Sequence, residues 1–415
     1  MASRGEHLVR ADRGFVTGGG WLGRLSAPLF ARVVDQLDAR LERGGIEATL
    51  PDGRHRRIGF NAPGPVAVVR LHSWMALVRL ATSGSVGWYK AWAAREWSSP
   101  DPVPLFELFM TNAVSLGDTA RAKGPMRMLN ALAHRLRDNG LAQARDNIAA
   151  HYDLGNDFYT AWLDDTMSYS SARFHSPNES LEKAQERKIA LLLDRLDLRP
   201  GTRLLEIGCG WGSLAIEAAR RGAIVTALTL SAEQKGWVDA KIAEAGLADR
   251  IAIRLQDYRL VTEQYEAVAS VEMVEAVGER WWPAYLDTIA RALVPGGNAA
   301  LQFIAIDPRL FDAYSAGADF IQAYIFPGGM LLDEPRFAAL AAQRGLSWSD
   351  RDGFGLDYAE TLRQWRTRYD AAIRAGRLDD FSAEFHDLWR YYLMYCEGGF
   401  RGHGIDVAQV TLTRS

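Results

Sequence analysis

From about residue 150 onward, the apolar and polar positions switch repeatedly between two periods. The run LRPGTRLLEIGCGWGSLAIEAARRGAIVTALTLS reads as a strand, a glycine-rich turn, a helix and a second strand. RIAIRLQDY reads as a strand, and EAVASVEMVEAV as a strand running into a loop. WWPAYLDTIARALVPGGNAALQFIAI reads as a helix, a turn and a strand. Strands alternating with helices over this length predict an α/β fold with a mostly parallel, doubly wound sheet covered on both faces. The first 117 residues have a different grammar. Short strand-like runs (IEATLPDG, VAVVRLH) are mixed with apolar stretches carrying Trp74, Trp88, Trp92 and Trp97, which predicts a smaller N-terminal α+β domain. Residues 118–147 read as a basic connector, with Met126, Leu129, Leu132 and Leu136 at helical spacing and Gly140 as a stop. The expected organisation is therefore 1–117, 118–147 and 148–415.

Charge changes the picture of the front half. The chain of 415 residues has a net charge of −3, but residues 1–150 hold 20 Lys+Arg against 13 Asp+Glu and the remainder 28 against 38. A basic front, including Arg121, Lys123, Arg127, Arg135, Arg137 and Arg145, suits transient contact with an anionic membrane surface, although scatter between domains gives the same count. Nothing in the sequence points to nucleic acid. No apolar run approaches the ~20 residues of a membrane helix, and the N-terminus lacks the apolar core of an export signal. Cys209 and Cys396 make no disulfide framework, and no Cys/His cluster has metal-binding spacing. A cytoplasmic protein, peripherally associated with the inner face of the membrane, is the expectation.

The clearest chemical signal is Glu206-Ile-Gly208-Cys-Gly210-Trp-Gly212, which follows an apolar strand and opens a helix. Glycines there allow a tight turn and let a ligand approach the backbone at a helix N-terminus. The spacing is GxGxG, not the GxGxxG of dinucleotide folds, and Thr229-Leu230-Ser231 stands where an acid would end the second strand. A nicotinamide cofactor is the weaker reading.

LLEIGCGWGSLAIEAA followed by VTALTLSAEQ resembles the S-adenosylmethionine site of the cyclopropane fatty acid synthase family, which includes the mycolic acid cyclopropane synthases. HYDLGNDFYTAWLDDTMSYSSARF, VEMVEAVGERWWPAYL, LVPGGNAALQFIAI, FIQAYIFPGG, DYAETLRQW and YCEGGFR are similar to that family's motifs and stand in its order. The resemblance spans 151–415 well and 30–115 more loosely. It implies a Rossmann-like class I methyltransferase with a helical insertion, at roughly 307–350, over an acyl site. Cofactor contacts are then expected at Tyr169, Ser170, Glu206, Gly208, Gly210, Gly212, Thr229, Leu230, Ser231 and Gln234, with Gln256 and Asp257 near the adenine.

The implied reaction adds a methylene to the cis double bond of an unsaturated phospholipid acyl chain. A bound bicarbonate would remove a proton from the carbocation. By the same resemblance, Glu275 and Tyr358 hold that anion, and the Ile304 amide assists. Gln302 stands where many members have His, and Ser171 replaces a Cys while keeping its main-chain donor and adding a hydroxyl. Glu272 is a competitor for the role of Glu275, and Cys396 matches a cysteine sometimes assigned to the site, with packing the favoured role. Trp281, Trp282 and Tyr324 could face the cation, with plain core the commoner fate of such aromatics. Methyl or methylene branching, small-molecule N-methylation, a non-catalytic lipid-binding role and a homodimer all stay open.

Overall fold

The computed structural model describes residues 4–10, 27–117 and 154–415. The basic connector at 118–147 and the first three residues of the motif at 151–174 lie outside the described residues. Two compact units result, and each draws on separate stretches of the chain.

Among the described residues, the larger unit comprises 154–308, 328–378 and 406–415. Its sheet is built from β5 (Arg203–Ile207), β6 (Ile224–Thr229), β7 (Ile251–Leu255), β8 (Tyr265–Val271), β9 (Leu293–Ile306), β10 (Leu346–Gly353) and β11 (Ile405–Arg414). They lie in the order β10-β11-β9-β8-β5-β6-β7. Strands β5 to β9 pair in parallel, while β10 runs antiparallel to β11. Parallel strands covered on both faces need nearly continuous apolar runs, and β5 follows this: every residue after Arg203 is buried. Small residues fill the layer between sheet and helices, with Ala215, Ala218, Ala219, Ala227, Ala267, Ala269 and Ala300 in one core cluster. The chain leaves β5 towards β6 on one side and returns to β8 on the other. That reversal opens a crevice at the carboxyl ends of the strands, where ligands bind in such folds. Val271 pairs with Gln302 across β8 and β9, and the Glu272 amide donates to the Gln302 carbonyl at 2.7 Å. The residues that follow β8 are thereby fixed at the mouth of this crevice.

Among the described residues, the smaller unit comprises 4–10, 27–117, 309–327 and 379–405. Its sheet has the order β2-β1-β3-β4, from β1 (Gly45–Thr49), β2 (His55–Gly59), β3 (Val66–Leu71) and β4 (Trp97–Ser98). Trp88 and Trp97 stack at 4.5 Å between ring centroids, and Trp97 Nε1 donates to the Trp88 carbonyl at 3.0 Å. These two tryptophans are core. Helix Ala383–Arg401 lies against helix Val103–Thr111 through Gly398, where a Cβ would come within 2.4 Å of Phe106 Cβ. No helix among the described residues is long and apolar enough to cross a membrane.

Candidate active site

The turn after β5 gives its glycines different work. Gly208, Gly210 and Gly212 all have positive φ, at 85°, 51° and 89°. A Cβ on Gly212 would strike Val238 Cγ1 at 2.6 Å, so this glycine serves the packing of helix Ala232–Glu244. A Cβ on Gly210 would meet nothing within 4 Å, leaving open space above the backbone. Next to the turn, Thr229 Oγ1 donates to Gln234 Oε1 at 2.8 Å and accepts from the Ser231 amide at 3.1 Å. Ser231 caps its helix by accepting from the Gln234 amide. Leu230 is half-buried between them. Gln234 Nε2 is buried without a hydrogen-bond partner, as is Glu206 Oε2. Burial raises the pKa of Glu206, against the pull of Lys188. A buried amide donor and a carboxyl oxygen, both unpartnered beside an open glycine turn, suit an adenosyl cofactor with an amino-acid tail.

On the other side of the crevice lies a network that the sequence reading only partly foresaw. Glu272 Oε1 accepts from the Ser171 main-chain N–H at 2.9 Å and from Gln302 Nε2 at 2.8 Å. Its Oε2 accepts from the Tyr358 hydroxyl at 2.8 Å. The Gln302 amide is oriented in turn by Gln409, whose Nε2 donates to Gln302 Oε1 at 3.0 Å. Glu272 has φ +47°, in the left-handed region where a glycine is at ease and other residues lose about 1–2 kcal/mol. Glu275, three residues on, accepts from the Ile304 amide through Oε1, while its Oε2 is buried without a partner. Both carboxyls are strongly desolvated although their residues keep partial exposure, as the wall of an internal space does.

The expected anion holders, Glu275 and Tyr358, enter this network differently. Tyr358 binds Glu272, and the residue expected as competitor holds the centre of the network. The left-handed turn at the end of β8 aims the Glu272 side chain at three donors, whereas the 3₁₀ turn Val274–Ala276 carries Glu275 to the Ile304 amide. Ser171 meets Glu272 through its main-chain amide and not its fully buried hydroxyl, which donates to the Ala172 carbonyl. A bicarbonate does not fit here: its expected donors at Ser171, Gln302, Tyr358 and Ile304 already serve two glutamates. A further anion among them would face the Glu272 carboxylate at close range.

The two carboxyls have different surroundings. Burial and the neighbouring Glu272 carry Glu275 up to about 8. Burial also raises Glu272, opposed by the Ser171, Gln302 and Tyr358 donors and by the charge of Lys188; three donors converging on one carboxyl suit its charged form. Lys188 was missed by the sequence reading. It sits on the buried face of helix Leu181–Asp194, its Nζ donates to Ser170 Oγ at 2.7 Å, and burial lowers its pKa to about 8. A lysine and a glutamine, Lys188 and Gln185, on the apolar face of an amphipathic helix were the available signal.

The remaining candidates divide. Tyr169 lies in an aromatic wall with Tyr159, Trp162 and Trp365, at centroid distances of 5.6, 5.6 and 5.3 Å. The Gln256 amide donates to the Thr229 carbonyl at 3.1 Å, which holds the end of β7 against that of β6. Asp257 forms an ion pair with Arg259, with Oδ2 2.7 Å from Nη2. Cys396 belongs to the smaller unit, and burial with the nearby Asp319 raises its thiol pKa, so it stays protonated there. Trp282 packs on Phe337, Tyr324 on Tyr89, and Trp281 lies under the Arg259 guanidinium. Among the described residues no His/Cys/Asp/Glu cluster could hold a metal ion.

A sheet of this order, with a glycine turn after β5, defines an S-adenosylmethionine-dependent methyltransferase. A mycolic acid cyclopropane synthase, CmaA1, solved in complex with SAH and CTAB, shares the fold with a TM-score of 0.61 and 29% identity, over 65% of this chain and 98% of that one. The chain belongs to the mycolic acid cyclopropane synthetase family, which it matches over residues 140–410. It is 39% identical over 352 residues to the tuberculostearic acid methyltransferase of Mycobacterium tuberculosis, covering 81% of this chain and 80% of that protein. It is 36% identical over 272 residues to the cyclopropane-fatty-acyl-phospholipid synthase of Escherichia coli, covering 64% of this chain and 66% of that one.

Proposed function

We propose that the chain transfers a methyl group to the cis double bond of an unsaturated phospholipid acyl chain, and that the resulting carbocation closes to a cyclopropane ring. The observation that supports this reading best is the desolvated pair Glu272 and Glu275, set at the carboxyl ends of the strands beside the glycine turn. S-adenosylmethionine, when bound, supplies an electrophilic methyl. The open backbone at Gly210 and the unpartnered Gln234 Nε2 would hold it. A double bond is a weak nucleophile, so alignment of the two reactants carries much of the acceleration. The carbocation must be kept from water, and the wall of Trp162, Tyr169 and Trp365 suits that task.

The similarity to a tuberculostearic acid methyltransferase over most of the chain favours a second reading. A hydride shift before proton loss would leave a methylene branch instead of a ring. Both outcomes take the proton from the added methyl and so use the same base. The basic residues among 1–150 would bring the enzyme to an anionic bilayer.

The test is incubation with methyl-labelled S-adenosylmethionine and vesicles of monounsaturated phosphatidylglycerol, followed by NMR of the lipid. Ring methylene signals support the first reading and vinylidene signals the second. Absence of label from every unsaturated phospholipid and free fatty acid supplied would overturn both.

A further inference from the structure

We infer that Glu272 is the enzyme's own proton acceptor, a tethered carboxylate seated where its relatives' chemistry calls for an external carbonate-like anion. The inference rests on the proposed methyl transfer and names the group that completes it. A carboxylate presents the same planar O–C–O group as bicarbonate. That of Glu272 is gripped by one main-chain N–H, one side-chain amide and one phenol, from Ser171, Gln302 and Tyr358. Such a carboxylate has about four lone-pair directions. Three are taken, two on Oε1 and one on Oε2, so Oε2 keeps one for a proton.

The backbone supports a purpose for this side chain. A glutamate at φ +47° persists against an intrinsic preference for glycine, and strain of that kind collects where a side chain is needed in one place. Its neighbour reinforces the role. Glu275, held protonated, does not compete for the cation, and its carboxyl is anchored by the Ile304 amide. The three donors gathered on Glu272 favour its charged form, the form that can take a proton.

The proposed step balances as follows. The electron pair of the double bond forms a bond to the methyl carbon as the carbon–sulfur bond breaks, leaving a neutral thioether and a carbocation on the adjacent carbon. A C–H bond of the new methyl then gives its electrons to that carbon and closes the ring, and the proton goes to Glu272 Oε2. Water receives the proton after the product leaves.

The test compares the wild type with Glu272→Gly and Glu272→Gln, in buffer stripped of carbon dioxide and in buffer with added bicarbonate. Glycine relieves the φ strain and empties the seat; glutamine keeps it filled without a base. The expected result is wild-type turnover that bicarbonate does not change, and a fall of about 100-fold or more in both variants. Bicarbonate should restore at least about 10-fold to Glu272→Gly and nothing to Glu272→Gln, in line with the usual reach of general-base catalysis. An independent arm uses carbon-13 bicarbonate without lipid, and NMR should show it bound to Glu272→Gly and not to the wild type. Bicarbonate-dependent turnover or bicarbonate binding in the wild type overturns the inference, as does full activity of Glu272→Gly in stripped buffer. Failure of the wild type to label any lipid would count against the proposed function alone, since the binding arm still reads the seat.

Discussion

The Tyr358 hydroxyl donates to Glu272 Oε2 at 2.8 Å, linking helix Gly355–Arg374 to the residue that directly follows β8. Tyr358 itself is buried, and its ring meets Trp365 edge-on at 6.0 Å, so the phenol has little freedom to turn elsewhere. The bond therefore sets both where the carboxylate sits and which of its oxygens keeps a free lone pair.

Tyr358→Phe removes that donor with little change in shape. A hydrogen bond to a charged group is worth about 1.5–3 kcal/mol, so turnover should fall about 10- to 100-fold. The affinity for S-adenosylmethionine, read by calorimetry, should stay within about 2-fold, because the glycine turn and Gln234 are untouched. A loss of cofactor binding equal to the loss of turnover would show that the two halves of the crevice are not separate.

Much of the fold could be read along the chain because parallel strands are buried on both faces and advertise themselves as apolar runs, as RLLEI does in β5. The glycine turn was legible for a related reason: positive φ and close packing at Gly208 and Gly212 admit few residues other than glycine. The anion seat was only half legible. Both glutamates stand out in VEMVEAVG, but which of them meets Tyr358 depends on a left-handed φ at Glu272, and no periodicity encodes that. Lys188 and Gln409 were missed because a buried polar side chain finds its partners through tertiary contacts. The stretches 309–327 and 379–405 fall with the N-terminal part of the chain, a grouping between residues far apart in sequence that no local pattern records.

Gln302→Leu should damage stability and chemistry together. Glu272 keeps two of its three donors, and Gln409 Nε2 loses its acceptor on Gln302 but still donates to the Lys188 carbonyl at 3.1 Å. An apolar side chain beside the Glu272 carboxylate leaves that charge less well satisfied, at about 1–3 kcal/mol. Urea unfolding should register a loss of that size with an unchanged m-value, and turnover should fall by more than 10-fold.

Thr229→Val tests the cofactor side alone. Valine keeps the shape of a buried strand end but removes the hydroxyl that donates to Gln234 Oε1 and accepts from the Ser231 amide. Gln234 is then free to turn its amide, and the buried Nε2 is no longer pre-aimed into the crevice. The dissociation constant for S-adenosylmethionine should rise about 5- to 10-fold for a loss near 1 kcal/mol. With saturating cofactor, turnover should return to within about 2-fold of the wild type. Unchanged affinity would remove Thr229 and Gln234 from the cofactor site.

Glu275→Gln should change how stability depends on pH. The Glu275 carboxyl moves from its ordinary 4.5 to about 8 in the folded chain, chiefly through burial and then through the neighbouring Glu272. Between those values the folded state holds a proton that the unfolded state has lost, so stability declines as pH rises through this window. The slope is at most about 1.4 kcal/mol per pH unit for one group. Glutamine keeps an acceptor for the Ile304 amide and carries no titrating proton, so it removes this contribution. The wild type should lose melting temperature between pH 5 and 8, by about 1 °C for each kcal/mol at this chain length. Glu275→Gln should lose visibly less, with the raised carboxyl of Glu206 sustaining part of the slope. Parallel melting curves for the two proteins across that range would show that Glu275 is ionised in the fold.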